Sequence, residues 1–379
     1  MLAMTYRGPG RVRVERKPLP EILHPQDAIV RVTRSCICGS DLHLYHGNVP
    51  DTRVGTTFGH EFTGVVEDVG SAVNNLKVGD QVLVPFNIAC GRCVFCRQGL
   101  FGNCHESNPE ATAVGGIFGY SHTAGGYDGG QAEYVRVPYA DVGPEIIPAG
   151  MDLDDAVLLT DVVPTGYQAA EMGGIQVGDT VVVFGAGPVG IMAARSAWLF
   201  GAGRVIVIDQ LDYRLEFAKR FAQCEIYNFR SMEDPVLFIK RITEHLGADV
   251  CIDAVGAEAA GSAMQTLTGR KMLLQAGSAT ALQWAINSVK KGGVVSIVGV
   301  YGPTGNLIPI GNVVNKGITI RANQTSVKRL LPRLIEHVQN GVIKPKELIT
   351  HKIPLSEVSD AYRIFSDKLD GCIKPLLVT

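Results

Sequence analysis

Four cysteines lie close together in the first third of the sequence. They follow a C-x2-C-x2-C-x7-C pattern within fifteen residues: Cys90, Cys93, Cys96 and Cys104. Four thiolates in so short a segment form a closed tetrahedral set, which suits a structural zinc ion. An iron–sulfur cluster is one alternative, but its bacterial spacing places the fourth cysteine after three residues and before a proline. Two disulfides are another, and they fit poorly in an intracellular chain. The pattern predicts a structural zinc lobe at about residues 88–106.

A second group of possible metal ligands is divided among three places in the sequence. A catalytic zinc takes three protein ligands and keeps one position for substrate or water. Cys38 and His60 supply two ligands, and the residue types leave the third open between Glu61 and Asp161. Taken singly, a histidine is more often packed in a core, and a cysteine is more often a buried small side chain. Together, in this order, these residues predict a catalytic metal site.

A glycine-rich turn stands near the middle of the chain, in the segment Val181-Val-Val-Phe-Gly-Ala-Gly-Pro-Val-Gly190. Its G-x-G-x-x-G spacing follows a predicted strand and opens a predicted helix. The first glycine permits a tight turn, the second admits a pyrophosphate, and the third lets helix and strand pack closely. The helix N-terminus offers free N–H groups and a positive dipole end to phosphates. The predicted dinucleotide-binding residues are Gly185, Gly187, Pro188, Val189 and Gly190.

The type of dinucleotide depends on the end of the next strand. An acidic residue is expected there, and Asp209 lies 19 residues after Gly190. Its carboxylate would accept hydrogen bonds from the ribose hydroxyls and repel a 2′-phosphate, so NAD is favoured over NADP. Arg214 lies close enough to bear on that preference. The alternative is a structural turn in which Asp209 caps a helix.

Composition limits the remaining possibilities. The 379 residues include 35 Lys and Arg and 37 Asp and Glu, a formal charge of −2, and 46% are hydrophobic. At about 150 residues per domain, two domains are expected. Near-neutral charge argues against nucleic-acid and membrane partners. The uncharged run Val181–Ala194 is too short to span a bilayer, and no apolar signal segment is visible near the N-terminus. We expect a cytoplasmic protein.

The predicted secondary structure that must position these residues differs between three parts of the chain. Short strands fill the first third, strands and helices alternate from Thr180 onward, and mixed elements follow residue 323. Such alternation predicts an α/β fold with a parallel sheet covered by helices on both faces. Examples of the short strands predicted in the first third are Ala28–Thr33, Phe62–Val69 and Gln81–Pro85. The strands predicted from Thr180 onward are Val181–Phe184, Val205–Ile208, Val250–Ile252 and Val294–Val298. The predicted helices are Val189–Phe200, Tyr213–Gln223, Pro235–Leu246, Leu330–Asn340 and Val358–Phe365. We expect a catalytic domain of residues 1–165 and 323–379 around a nucleotide domain of residues 166–322.

These motifs, in this order, resemble the zinc-dependent medium-chain dehydrogenase/reductase (alcohol dehydrogenase) superfamily over essentially the whole chain. Four further segments resemble its glutathione-independent formaldehyde dehydrogenase-like branch: Gly129-Gly-Gln-Ala-Glu-Tyr-Val135, Pro138-Tyr-Ala-Asp141, Leu159-Thr-Asp161 and Pro164-Thr-Gly-Tyr167. The resemblance implies a Rossmann doubly wound parallel sheet inserted in a mainly β, GroES-like catalytic domain. It also implies that Cys38, His60 and Asp161 hold the catalytic zinc.

The same resemblance assigns roles around that zinc. Glu61 becomes a neighbour that approaches the metal when a ligand exchanges, and Asp41 an acceptor that orients His60. A proton leaves through the hydroxyl of Ser40, then the cofactor ribose, then His43 at the surface. The alternative for Ser40 is a turn hydroxyl, and for His43 an exposed histidine.

The implied activity is NAD-dependent dehydrogenation of a small alcohol or a hydrated, formaldehyde-like aldehyde, with two zinc ions per chain. Polyol or amino-alcohol dehydrogenation and a non-catalytic NAD(H)-binding redox sensor are the alternatives. The stretch Ala257–Trp284 resembles an insertion that covers the adenine end and retains NAD. Members of the superfamily associate through the sheet edge of the nucleotide domain. The resemblance therefore implies a homo-oligomer, and we expect a tetramer rather than a dimer.

Overall fold

The computed structural model describes residues 1–231, 234–256, 279–301 and 307–379. They form two compact units, Met1–Pro164 with Gln324–Thr379, and Thr165–Asn323. Most of the stretch expected to be an NAD-retaining insertion, residues 257–278, lies outside the described residues. Among the helices described, none combines the length and the apolar character needed to cross a bilayer.

The first unit begins with short strands separated by long connections. Its strands up to residue 164 are β1 (Leu2–Tyr6), β2 (Val12–Arg16), β3 (Ala28–Cys36), β4 (Phe62–Val69), β5 (Gln81–Val84), β6 (Asn87–Ile88), β7 (Gly116–Ile117), β8 (Tyr134–Val137) and β9 (Glu145–Ile146). The helices there are α1 (Gly39–Tyr45), α2 (Val94–Arg97) and α3 (Leu153–Leu158), with 3-10 turns at Phe101–Asn103 and His122–Ala124.

Helix α4 (Val162–Gly173) contains the boundary between the units, and strands and helices alternate after it. The elements of the second unit are β10 (Thr180–Phe184), α5 (Pro188–Leu199), β11 (Arg204–Asp209), α6 (Asp212–Ala222), β12 (Glu225–Asn228), a 3-10 turn (Phe229–Ser231), α7 (Pro235–Ile242), β13 (Ala248–Asp253), α8 (Thr280–Ser288), β14 (Val289–Ile297), α9 (Ile310–Lys316) and β15 (Thr319–Ala322). The first unit then resumes with α10 (Val327–Gln339), β16 (Ile349–Pro354), α11 (Val358–Ser366) and β17 (Lys374–Val378), and with 3-10 turns at Pro345–Leu348 and Leu355–Glu357.

The second unit is built on a six-stranded sheet in the order β12-β11-β10-β13-β14-β15, and every pairing in it is parallel. Val182 and Phe184 of β10 share a core cluster with residues of α7 and α8. Val181 and Val183 alternate with them, are equally buried and face the other side of the sheet. Burial on both faces explains the continuous apolar run of this strand. The predicted α/β fold with a parallel sheet is confirmed.

In the first unit, the last described strand, β17 (Lys374–Val378), is an interior strand of the main sheet. This sheet has the order β16-β17-β3-β4-β5-β9, with β8 also paired to β3. Strand β17 runs antiparallel to β3, with Leu376 opposite Cys36. The same register places Lys374 beside the turn that carries Cys38, and the N–H of Ile37 donates to the carbonyl of Pro375 at 3.3 Å. Residues from opposite ends of the sequence therefore meet at one site.

Several elements of the second unit differ from the sequence-based expectation. Strands β12 and β15 were not predicted, because each has only four residues and neither contains a fully buried side chain. Helix α8 occupies the last residues of the stretch expected to be an insertion, up to Trp284. The helix α7 ends at Ile242, four residues before the predicted end at Leu246.

Candidate metal centres and dinucleotide turn

Connections of the first unit bring four possible ligands together, a group that we call the inner metal centre. Cys38 stands at the N-cap of α1, His60 and Glu61 directly precede β4, and Asp161 lies between α3 and α4. One ligand atom from each of the four lies within 4.8 Å of all the others. Cys38 Sγ is 3.5 Å from Asp161 Oδ2, and His60 Nε2 is 3.4 Å from the same oxygen.

These residues fit a catalytic zinc ion. Bonds of about 2.0 to 2.3 Å in a tetrahedron place ligand atoms about 3.3 to 3.8 Å apart, and the measured 3.4 and 3.5 Å agree. One thiolate, one imidazole and one carboxylate also make the mixed donor set that zinc accepts. Glu61 Oε2 is buried and has no hydrogen-bond partner among the described residues. A cation bound at this centre would give that oxygen an electrostatic partner, which the described residues do not supply through a hydrogen bond.

The carboxylate of Asp41 contacts two of the possible ligand residues, Cys38 and His60. Its Oδ2 accepts from the backbone N–H of Cys38 at 3.0 Å, and its Oδ1 is 3.4 Å from His60 Nδ1. Burial opposes protonation of His60, but the carboxylates of Asp41 and Asp161 outweigh it and hold the histidine pKa well above its ordinary value. The centre therefore favours positive charge beside the imidazole, which a metal cation would supply.

Glu61 is paired with a residue that sequence reasoning missed. Lys374 Nζ donates to Glu61 Oε1 at 2.5 Å, and both side chains are 0% exposed. Burial raises the pKa of Glu61 to about 6 against the opposing charge of Lys374. The pKa of Lys374 is also raised, because neighbouring Glu61 outweighs the effect of burial. With Oε1 engaged by this ammonium, the geometry favours Asp161 as the third ligand.

The two residues of the predicted proton relay both lie on α1. Ser40 Oγ is 3.3 Å from His60 Nε2, so its hydroxyl borders the inner metal centre. His43 is half-buried and lies three residues further along the helix, on the same face as Ser40. The relay through these two residues stays a prediction.

The cysteine lobe, Cys90, Cys93, Cys96 and Cys104, forms the second group that could hold a metal ion. Cys90 Sγ and Cys96 Sγ are 4.0 Å apart, and the backbone N–H of Cys93 donates to Cys90 Sγ at 3.3 Å. Burial opposes ionisation of Cys93, but backbone N–H groups outweigh it and lower the thiol pKa to about 6. All nine cysteines of the chain are described, and none of them is joined in a disulfide.

The glycine turn lies between β10 and α5. Gly185 has a φ of +100°, and a Cβ on Gly190 would lie 1.9 Å from the carbonyl oxygen of Gly185. A side chain is therefore excluded at both positions. Gly187 is the N-cap of α5, with Pro188 at its first turn and open space where a Cβ would point. Open space before a helix N-terminus is what a phosphate requires.

Asp209 ends β11 and faces this turn. Its Oδ2 accepts from the N–H of Ala186 at 2.7 Å, and its Oδ1 accepts from Gln210 at 2.6 Å. Helix α6 has Leu211 as its N-cap, so the alternative in which Asp209 caps the helix is wrong. Arg214 lies in the first turn of α6, where its Nε is 3.2 Å from Tyr213 Oη. A cavity beside the turn is lined by Gly185, Asp209, Phe184, Phe229, Thr280 and Trp284, the last two from α8.

Comparisons with known proteins agree with this geometry. Residues 24–148 match the alcohol dehydrogenase GroES-like domain, and residues 188–277 match the zinc-binding dehydrogenase family. An uncharacterized zinc-type alcohol dehydrogenase-like protein of Bacillus subtilis is 44% identical over all of both chains. Glutathione-independent formaldehyde dehydrogenase of Pseudomonas aeruginosa is 39% identical over 79% of this chain and 74% of that protein. The solved structure of an alcohol dehydrogenase from Thermus sp. ATN1 has a TM-score of 0.85 and 34% identity, and covers 100% of this chain and 99% of that one.

One chain that holds both a parallel-sheet unit with a glycine turn and a mainly β unit with two zinc-type donor sets has the features of the zinc-dependent medium-chain dehydrogenases. The chain belongs to the zinc-type alcohol dehydrogenase family of that superfamily. The predicted superfamily and the prediction of an oxidoreductase are confirmed. Zinc and NAD, the cofactors predicted from the sequence, agree with this family, and the two donor sets fit zinc.

Proposed function

We propose that this protein oxidises a small alcohol or a hydrated, formaldehyde-like aldehyde with NAD as the hydride acceptor, without glutathione. The observation that carries the proposal is the inner metal centre, in which the Asp161 carboxylate lies 3.4 to 3.5 Å from His60 Nε2 and Cys38 Sγ. This position supports Asp161 as a carboxylate third ligand. The 39% identity to a glutathione-independent formaldehyde dehydrogenase supports this substrate class. We assign the metal chemistry to the first unit and cofactor binding to the second.

Zinc at the inner metal centre would supply a Lewis acid that eases loss of a proton from a bound hydroxyl near neutral pH. The chain's own residues shape that chemistry. We propose Ser40 Oγ, which lies 3.3 Å from His60 Nε2, as the first acceptor of that proton and His43 as a later one. The ring of Phe86 meets the His60 ring edge-on at 6.0 Å and shields the imidazole with an apolar wall. A hydrated aldehyde offers the same hydroxyl as an alcohol, so one centre serves both.

A substrate panel tests the proposal. We expect NAD reduction with formaldehyde or a short alcohol in the absence of glutathione, and a kcat/KM at least about tenfold above that for sorbitol or threonine. The measurement is absorbance of reduced nicotinamide, with NAD and NADP compared. Preference for sorbitol or threonine would instead identify a polyol or amino-alcohol dehydrogenase, and no reduction with any compound would overturn the enzymatic proposal.

Cofactor preference gives a separate prediction at Asp209. Asp209→Asn keeps the side chain's shape but removes the charge that would repel a 2′-phosphate, and like charges placed together cost several kcal/mol. We therefore expect the ratio of kcat/KM for NADP to that for NAD to rise at least about tenfold. Asp212→Asn is the matched control, because Asp212 is an exposed carboxylate three residues away. An unchanged ratio in the Asp209 variant would contradict the assignment.

A further inference from the structure

A chain of buried hydrogen bonds runs from helix α11 to the inner metal centre. The hydroxyl of Tyr362, which is 0% exposed, donates to Gln131 Oε1 at 2.8 Å. Gln131 Nε2 then donates to Asp41 Oδ2 at 3.2 Å. That carboxylate is the one that accepts from the Cys38 backbone and faces the His60 ring. Tyr362 and Gln131 are not among the four possible ligands. They are connected to Cys38 and His60 through Asp41.

The direction of these hydrogen bonds is fixed by chemistry. The carboxylate of Asp41 and the backbone carbonyl of Cys36, which accepts from Gln131 Nε2 at 3.1 Å, can only accept. The amide NH2 of Gln131 must face them, and both of its hydrogens are used there. Its Oε1 must then face Tyr362, whose hydroxyl has to donate. Reversing the amide would break three hydrogen bonds in a buried site, so a single orientation satisfies the polar atoms of the Gln131 side chain.

The backbone holds Gln131 in place against the ligand segment. Its N–H donates to the carbonyl of Phe58 at 3.1 Å, and its own carbonyl accepts from the N–H of Met4 at 2.8 Å. Gly59, which directly precedes His60, has a φ of +97°, and a Cβ there would lie 2.5 Å from Gln131 Cγ. The glutamine side chain therefore packs directly on the backbone that precedes the imidazole, and a side chain at position 59 would displace it.

We propose that Gln131 and Tyr362 are positioning residues for the inner metal centre. They fix the Asp41 carboxylate so that its two oxygens hold the Cys38 backbone and the His60 ring in the orientation that metal binding requires. The inference rests on the proposed function, since it requires a metal ion held by these ligands. Outer partners of a ligating histidine typically change metal affinity by about 10- to 100-fold when they are removed.

The test compares Gln131→Met and Tyr362→Phe in the full chain with Co2+ as the probe in the inner metal centre. We expect chelator competition to show about 10- to 100-fold weaker cobalt retention for Gln131→Met and about 3- to 10-fold for Tyr362→Phe, with a shifted visible spectrum. The double variant should retain cobalt as Gln131→Met does, because the hydroxyl acts only through the amide. It should also unfold at a higher denaturant concentration than Gln131→Met, because no hydroxyl is left buried without an acceptor.

The control is Tyr127→Phe, which removes a hydroxyl that donates to the Ser107 carbonyl at the same 2.8 Å, outside the hydrogen bonds that join Tyr362, Gln131 and Asp41. We expect it to leave the cobalt affinity and spectrum of the inner metal centre unchanged. Wild-type affinity and spectrum in Tyr362→Phe, an additive loss in the double variant, or an equal loss in Tyr127→Phe would each overturn the inference. If the wild-type chain binds no cobalt at Cys38 and His60, the proposed function itself fails.

Discussion

Replacing Asp161 with alanine is expected to remove the metal ion of the inner metal centre and to leave the cysteine lobe loaded. The variant would keep Cys38 and His60, and the remaining carboxylate, Glu61, has Oε1 engaged by Lys374 and offers only Oε2. We expect Glu61 to be too weak a substitute to retain the ion, since a stable catalytic zinc site needs three protein ligands. A Lewis acid contributes several kcal/mol to this kind of reaction, so activity should fall at least about a thousandfold. Metal analysis should show a decrease from two ions per chain to one.

Two companion variants make that result specific. Cys93→Ser should give the opposite pattern, losing the lobe metal and keeping the inner one, because Cys93 belongs to the cysteine lobe. Asp161→Cys should retain both ions, since a thiolate also satisfies zinc. Two metal ions per chain in Asp161→Ala would show that Asp161 is not a ligand.

Replacing Lys374 with methionine is expected to destabilise the fold more than any change at an exposed ion pair. The substitution leaves the carboxylate of Glu61, which is 0% exposed, without its counter-ion. Breaking a buried pair from one side costs about 3 to 5 kcal/mol. The loss should appear as a lower denaturant midpoint in urea unfolding, measured with zinc in excess so that metal loss does not contribute.

Two further variants test whether the loss of stability in Lys374→Met comes from the buried charge. Adding Glu61→Gln to Lys374→Met should recover most of the stability, because the buried charge is then gone. Arg31→Met is the matched control, since Arg31 and Glu67 form an ion pair whose side chains are 44% and 40% exposed. Its cost should lie near 0 to 1 kcal/mol. If Lys374→Met unfolds at the same urea concentration as Arg31→Met, the buried pair does not contribute as described.

Local patterns in the sequence predicted the second unit well. The glycine spacing fixes both the turn and the helix behind it, since backbone contacts exclude side chains at Gly185 and Gly190. The apolar run of β10 reflects burial on two faces, so the strand could be located from composition alone. Strand β15 could not, because its four residues are all exposed and carry no periodic signal.

The inner metal centre was predictable only in part. Cys38 and His60 were identified from ligand type, but the choice of Asp161 depended on resemblance to a known branch. Lys374 and Tyr362 carry no local signal, because their partners Glu61 and Gln131 lie 313 and 231 residues away in the chain. Only tertiary structure brings such pairs together, so sequence patterns of a few residues cannot reveal them.

The long separation between Glu61 and its counter-ion also affects how the protein is made. At about 5 to 20 residues per second, a ribosome needs about 15 to 60 seconds to add the 313 residues that separate the carboxylate from Lys374. Throughout that interval the nascent first unit lacks β17 and must keep Glu61 hydrated or protonated. The buried ion pair can therefore form only after β17 has been synthesised, long after all the ligands of the inner metal centre have emerged.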